Sequence, residues 1–289
     1  MIDTIKSGNS LEELATVLNV RANRRRLTAD ELRAAALRVI EYLERIGSGP
    51  PGTPAGFWAT RSLMPASLVT WVAARLAWLY AWPAIFVAAA LVAWSLARAR
   101  AGWFSLATTD VALAGGYGLF LISLVVHEFG HAAACRRFGL APGAVGFTMY
   151  LLFPALYTDV TRSWRLSRRQ RMVVDLGGNY FQALVGAAYL STFGVTGAPA
   201  FGVAASLVAL GMLFSLNPVF KCDGYWVVSD ALGVTNLAEQ PRVLARGLVG
   251  RLRDGVPWTF PWPTPVVAAL MLYSGLTVGV WLWFITRLA

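Results

Sequence analysis

Two histidines and a glutamate stand close together in the segment His127-Glu128-Phe129-Gly130-His131, and these two are the histidines of the chain. On an α-helix, residues i and i+4 share a face, so both imidazoles can bind one cation. This spacing suits Zn²⁺, and Glu128 can take a proton from an attacking water. The motif therefore predicts a zinc site with a general base.

The residues around this motif are apolar. An almost unbroken apolar run covers residues 111–126 and resumes at residues 132–135. Ionisable side chains at membrane depth are costly unless they have a function, which weighs against a chance match. Membrane di-iron oxygenases use more histidines than these two, so the sequence excludes that class of enzyme.

The composition indicates an integral membrane protein. Hydrophobic residues make up 57% of the 289 residues and charged residues 14%, and the mean hydropathy is +0.56. The net charge of +10 comes mainly from arginine. Arginines are enriched in the cytoplasmic loops of membrane proteins, so we attribute this charge to membrane topology and not to a nucleic-acid partner. Two cysteines cannot form a disulfide framework.

The apolar segments predict an all-α polytopic membrane protein with about five to six transmembrane helices. The expected spans are residues 81–97, 111–135, 172–193, 200–220 and 265–286. Residues 63–80 predict either an amphipathic interfacial helix or an extension of the first span. Arginines between the spans predict a multi-pass membrane protein with a cytoplasmic N-terminus, and in a bacterium this membrane would be the inner one.

The chain divides into three predicted parts. Residues 1–50 are polar with helical periodicity and predict a small cytosolic helical module. Residues 51–66 begin with a cluster of Gly and Pro and predict a linker, and residues 67–289 predict the membrane domain.

A short segment between two arginine clusters, residues 143–157, is apolar but too short to span a membrane. It predicts a re-entrant segment that dips into the membrane beside protein. A strand there could bind an extended peptide by strand addition, and an ordinary hydrophobic loop is the equal alternative.

A catalytic zinc needs a third protein ligand, for which Asp223 is the strongest candidate. Pro218 interrupts the preceding helix and Gly224 follows the acid, so the backbone can bend the carboxylate inward. The alternative is a surface acid that pairs with Lys221.

These two motifs together resemble the signature of the site-2 protease family of intramembrane zinc metalloproteases. The first is His127-Glu128-Phe129-Gly130-His131, and the second is Asn217-Pro218 followed by Asp223-Gly224. The chain is most similar to the bacterial peptide zinc metalloproteases of peptide natural-product pathways, over about residues 60–285. The resemblance implies that residues 67–289 form an intramembrane metalloprotease domain.

The resemblance also implies the role of each site residue. His127, His131 and Asp223 would bind Zn²⁺, and Glu128 would be the general base. Asn217 would contact the substrate or the oxyanion. Gln182 stands at the position of a substrate-binding asparagine of the family, so it would either replace this asparagine or leave its role unfilled.

The implied activity is that of a zinc metalloendopeptidase, which hydrolyses a peptide bond in or near the membrane and could process a peptide precursor. Its partners would be a membrane-embedded or membrane-associated peptide and the lipid bilayer, with no nucleic acid. The alternative is a non-proteolytic membrane component, such as a scaffold or export partner, with a structural metal site. The retained Glu128 argues against it, because a structural site needs no base. The sequence does not indicate an oligomeric state.

Overall fold

The computed structural model describes residues 57–99, 103–106, 108–150, 153–234, 237–254 and 262–288. The predicted N-terminal module and residues 51–56 of the predicted linker lie outside these ranges. The division of the chain into a module, a linker and a membrane domain therefore stays a prediction.

Most of the described chain is helical, as the sequence predicts. The α-helices are α1 Ala66–Leu76, α2 Trp82–Ala97, α3 Asp110–Arg137, α4 Arg168–Asp175, α5 Gly177–Thr196, α6 Pro199–Ser215, α7 Asp223–Leu232, α8 Gln240–Asp254 and α9 Thr264–Leu288. Short 3₁₀ helices cover Ala77–Tyr80, Thr161–Arg165 and Leu237–Glu239.

A three-stranded antiparallel sheet corrects the purely α-helical prediction. Its strands are β1 Phe57–Met64, β2 Val145–Tyr150 and β3 Phe153–Thr158, in the order β1-β2-β3. The hairpin of β2 and β3 overlaps residues 143–157, for which the sequence predicts a re-entrant segment or strand. β1 lies in the predicted linker, and its partner strand is about 90 residues away along the chain, which local patterns do not reveal.

The number of membrane spans also differs from the prediction. In the described part of the chain, α3 is long and apolar enough to cross a membrane, and a second span is possible if Ala66–Tyr80 and Trp82–Ala97, which meet at 80°, count as one. Five to six spans are not supported by helix length and composition. The 17 residues of α6, for example, rise only about 26 Å, less than the roughly 30 Å of a hydrocarbon core.

Helix α3 is defined at both ends by capping residues. The Thr109 side chain accepts a hydrogen bond from the Ala112 amide, and Asp110 lies in the positively polarised first turn. Arg136 and Arg137 lie in the last turn, and Gly139 follows with a φ of 78°, which favours glycine. The His-Glu-x-x-His motif is thus set in a continuous helix, about two turns before its end.

Glycines allow α3 and α5 to approach closely. A Cβ on Gly130 would overlap the carbonyl group of Gly177. The Tyr80 hydroxyl lies 2.8 Å from the Gly130 carbonyl oxygen and 3.3 Å from that of Gly177, and donates to them. Tyr80 also packs with Phe181 in a buried cluster. This contact fixes the motif helix against α5.

We expect Gly130→Ala to destabilise the fold, because the added Cβ must separate α3 from α5 at a cost of about 1–3 kcal/mol. Gly118→Ala is the matched control on the same helix, since a Cβ there meets no atom within 4 Å. The control should be neutral or stabilising by roughly 0.5–1 kcal/mol. Thermal unfolding of the purified proteins measures both, and equal unfolding temperatures would contradict this packing.

Candidate metal centre

Three side chains that the sequence predicts as metal ligands meet in the structure. The Nε2 atoms of His127 and His131 lie 3.1 Å apart. The carboxylate of Asp223 lies 3.1 Å from the first of these atoms and 3.4 Å from the second. Tetrahedral Zn²⁺ with bonds of about 2.0–2.2 Å holds its ligand atoms about 3.3 Å apart, so this donor set fits zinc.

Each histidine is oriented by a hydrogen bond at its other ring nitrogen. His131 Nδ1 lies 2.7 Å from the Val174 carbonyl oxygen at the end of α4, and His127 Nδ1 lies 3.1 Å from Gln182 Oε1 on α5. Both partners are acceptors, so the proton of each neutral ring is on Nδ1 and the Nε2 lone pair faces the other ligands. This arrangement is typical of histidines that bind a metal.

A break between α6 and α7 brings Asp223 to the histidines. Helix α6 ends at Ser215, and Pro218 cannot continue it. Asp223 is the first residue of α7, and a Cβ on the next residue, Gly224, would overlap the backbone of Leu216. The chain therefore turns back tightly, as the sequence predicts.

Two polar side chains hold the Asp223 carboxylate. The Ser215 hydroxyl donates to Oδ2 at 2.7 Å, and the Asn179 amide donates to the same atom at 3.0 Å. Only 18% of the Asp223 side chain is exposed. This burial and the contact with both histidines favour the ligand over the alternative of a surface acid.

Helix α5 supports the histidines through its backbone as well. A Cβ on Gly178 would overlap the His127 imidazole, so a glycine is needed at this point of α5. Asn179 and Gln182 follow on the same helix and contact Asp223 and His127 respectively. One helix thus positions two of the three candidate ligands.

Glu128 is buried beside the ligands but is not part of the group that could hold the ion. The hydroxyl of Thr158, the last residue of β3, lies 2.7 Å from Glu128 Oε2 and 3.0 Å from its main-chain oxygen. The sheet is therefore attached to the predicted base.

The two predicted substrate-binding residues occupy different positions. Gln182 is buried with its carbonyl oxygen toward His127, which makes it a partner of a ligand. Asn217 lies in the turn before Asp223, where its Oδ1 accepts a hydrogen bond of 2.8 Å from the Val219 amide. A contact of either residue with substrate stays a prediction.

Sequence reasoning missed the partners that orient the site: Thr158, Val174, Asn179 and Ser215. Asn179 and Ser215 lie within or beside apolar runs. A polar residue in such a run often has a functional role, which is a signal that could have identified both. The roles of Thr158 and of the Val174 carbonyl group depend on how distant elements pack.

The neighbouring thiol is not suited to replace the carboxylate. Burial and the charge of Asp223 together raise the pKa of Cys222 to about 11. A neutral thiol is a poor metal ligand.

Comparison with known proteins gives one relative, from Bacillus subtilis (strain 168), named "Putative peptide zinc metalloprotease protein YydH". It is 29% identical over 111 residues, which are 38% of this chain and 44% of that protein. The match thus spans less than half of the relative. No family model matches the chain, and no solved structure matches it.

We expect Asp223→Ala to lose most of its bound zinc. Outer partners of a metal site alone are worth about 10–100-fold in affinity, so removal of a ligand should have at least this effect. Asp110→Ala is the control, because Asp110 is an exposed acid at the opposite end of α3. Zinc per mole of purified protein measures both, and full occupancy in Asp223→Ala would overturn the ligand set.

Gln182→Leu should weaken zinc binding by about 10–100-fold, because His127 loses the acceptor that orients its ring. Gln182→Glu keeps an acceptor at this position and should bind zinc at least as tightly as the unchanged protein. Competition with a chelator gives both affinities. Equal affinities for the leucine and glutamate variants would contradict an orienting role.

Proposed function

We propose that this chain is an intramembrane zinc metalloprotease that hydrolyses a peptide bond in or near the membrane. The observation that carries the proposal is the convergence of His127, His131 and Asp223 beside the buried carboxylate of Glu128. A purely structural metal site would need the three ligands but no adjacent base. The named relative supports the same class of activity.

The chain's own residues would divide the chemistry among them. Zn²⁺, held by His127, His131 and Asp223, would supply Lewis acidity toward the substrate carbonyl and the attacking water. Glu128 takes a proton from this water as the oxygen of the water bonds to the carbonyl carbon. Glu128 then returns the proton to the amine as the C–N bond breaks. Asn217 is the proposed polar partner of the developing oxyanion.

The sheet offers a way to hold an extended peptide. β3 is an edge strand, and its last residue, Thr158, contacts the proposed base. A substrate paired with β3 would satisfy backbone groups of the strand and bring a peptide bond toward Glu128. We therefore propose that the substrate binds as an additional strand.

A membrane location is consistent with the surface of the helices. Large apolar side chains are exposed on α2, α3 and α9, including Phe86, Trp94, Val111 and Leu272. Such a surface is unfavourable in water and normal in a bilayer. We propose that α6 and the apolar segment Thr264–Val280 of α9 also enter the membrane, in a multi-pass protein of the bacterial cell membrane with a cytoplasmic N-terminus. Lipid and peptide would be its partners.

Glu128→Gln tests the function. The variant should keep its zinc, because Glu128 is not a ligand, and should lose cleavage by roughly 10²–10⁴-fold or more. The assay uses purified protein in lipid nanodiscs, a complex mixture of peptides, and mass spectrometry of the products.

Glu239→Gln is the matched control, because Glu239 is exposed outside the site and the side-chain change is the same. It should cleave like the unchanged protein. Equal product from Glu128→Gln and the unchanged protein would remove the proposal. A zinc-loaded unchanged protein that forms no product would favour the non-proteolytic alternative.

A further inference from the structure

Helix α7 carries Asp223 at its first residue and is held near its other end by an arginine of α4. The Arg171 guanidinium contacts the Asp230 carboxylate through Nε at 2.8 Å and Nη2 at 2.6 Å. The two side chains are 16% and 13% exposed. The hydrogen bond to Asp230 raises the pKa of Arg171, whose guanidinium is charged at neutral pH in any case. A forked and mostly buried pair of this kind is directional.

A second arginine of α4 lies against the end of α7. The Arg168 guanidinium occupies the space that a Cβ of Gly233 would need, and Gly233 ends α7 with a φ of 65°. The last carbonyl groups of a helix carry partial negative charge, which a guanidinium stabilises. Helix α4 thus contacts α7 at two places, at Asp230 and at the C-terminus of α7.

Arg171 itself is fixed from several sides. Its Nη1 donates to the Leu166 carbonyl oxygen at 3.1 Å, and its guanidinium lies 5.3 Å from the centre of the Trp164 ring. A capping box of Ser167 and Gln170 defines the start of α4. A side chain with this many contacts can hold a partner in one geometry.

The same short helix orients a candidate ligand on α3. The Val174 carbonyl group, three residues after Arg171, accepts the hydrogen bond from His131 Nδ1. An eight-residue helix is a rigid element at this scale, so Arg171 and Val174 cannot move independently. Helix α4 therefore contacts both His131 and the helix that carries Asp223.

Other hydrogen bonds of α7 include those that Ser215 and Asn179 donate to Asp223 and that the Ala238 amide donates to the Tyr225 hydroxyl. These bonds do not involve α4. Tyr225 packs in an apolar cluster with residues of α8 and α9, and such packing is not directional. The residue before α7, Cys222, makes no side-chain cap. Asp223 and Asp230 are seven residues apart, or about 10.5 Å along the helix, so a shift at one is transmitted to the other.

We propose that the Arg171–Asp230 pair is a positioning device for the metal centre, which sets the distance between Asp223 and His131 by locking α7 to α4. Neither residue belongs to the group that could hold the ion. The inference rests on the metal centre of the proposed function. Metal sites need their ligands within about 0.5 Å of the productive geometry, so a small movement of α7 is sufficient to weaken binding.

The experiment measures metal binding with Zn²⁺ and Co²⁺ as probes. Arg171→Gln and Asp230→Asn should each weaken zinc affinity by about 10–100-fold, the effect typical of outer partners of a metal site. The double variant should be no weaker than the worse single variant, because both act through one pair. Arg171→Lys should fall between, since lysine keeps the charge but not the fork. Arg169→Gln, an exposed arginine of α4, is the control.

The visible absorption of bound Co²⁺ separates positioning from general stability. If the pair positions Asp223, the single variants should change the Co²⁺ spectrum of the folded protein in the direction of Asp223→Ala. Lower unfolding temperatures with unchanged spectra and zinc affinities would overturn the proposal, as would additive losses in the double variant. Absence of a Co²⁺ spectrum in the unchanged protein would refute the metal centre itself. If the unchanged protein cleaves no peptide, the proposed function fails, but the zinc affinities and Co²⁺ spectra still test the positioning role of the pair.

Discussion

The approach of one carboxylate to two imidazoles, at 3.1 and 3.4 Å, is the contact on which the rest of the structure depends. Three polar groups withdrawn from water are costly unless they are paired, and one shared cation would pair all three. The free-energy cost of burying these groups explains why many surrounding residues form hydrogen bonds to them or allow close packing around them. Glycines allow the backbones of α3 and α5 to meet, and α6 ends where Asp223 must turn inward.

The site could be predicted largely because its signals are local. His127 and His131 are about one helical turn apart in the sequence. Pro218 and Gly224, which allow the chain to bend, are close to Asp223 in the sequence. The orienting partners could not be predicted, because they depend on the rotation of α4 and α5 against α3. Gln182 shows the difference: the sequence places it near the site, but only packing turns its carbonyl oxygen toward His127.

The fold was predicted less completely, for two physical reasons. A strand such as β1 is defined by a partner about 90 residues away, and its own residues 57–64 follow a Gly- and Pro-rich stretch that favours a linker. Hydropathy also ignores breaks in a helix. The apolar runs at 172–193 and 200–220 are interrupted near Leu176 and after Ser215, so the resulting helices are shorter than the runs. Both breaks lie at the candidate metal centre, where the chain changes direction.

The Thr158 hydroxyl has one proton and two acceptors within reach, the Glu128 carboxylate and the main-chain oxygen of the same residue. While the carboxylate is charged, the proton is best placed on it. Once Glu128 has taken up a proton, the hydroxyl can rotate to the main-chain oxygen without a change in the backbone. The Thr158 hydroxyl therefore has an acceptor within reach whether or not the Glu128 carboxylate is charged.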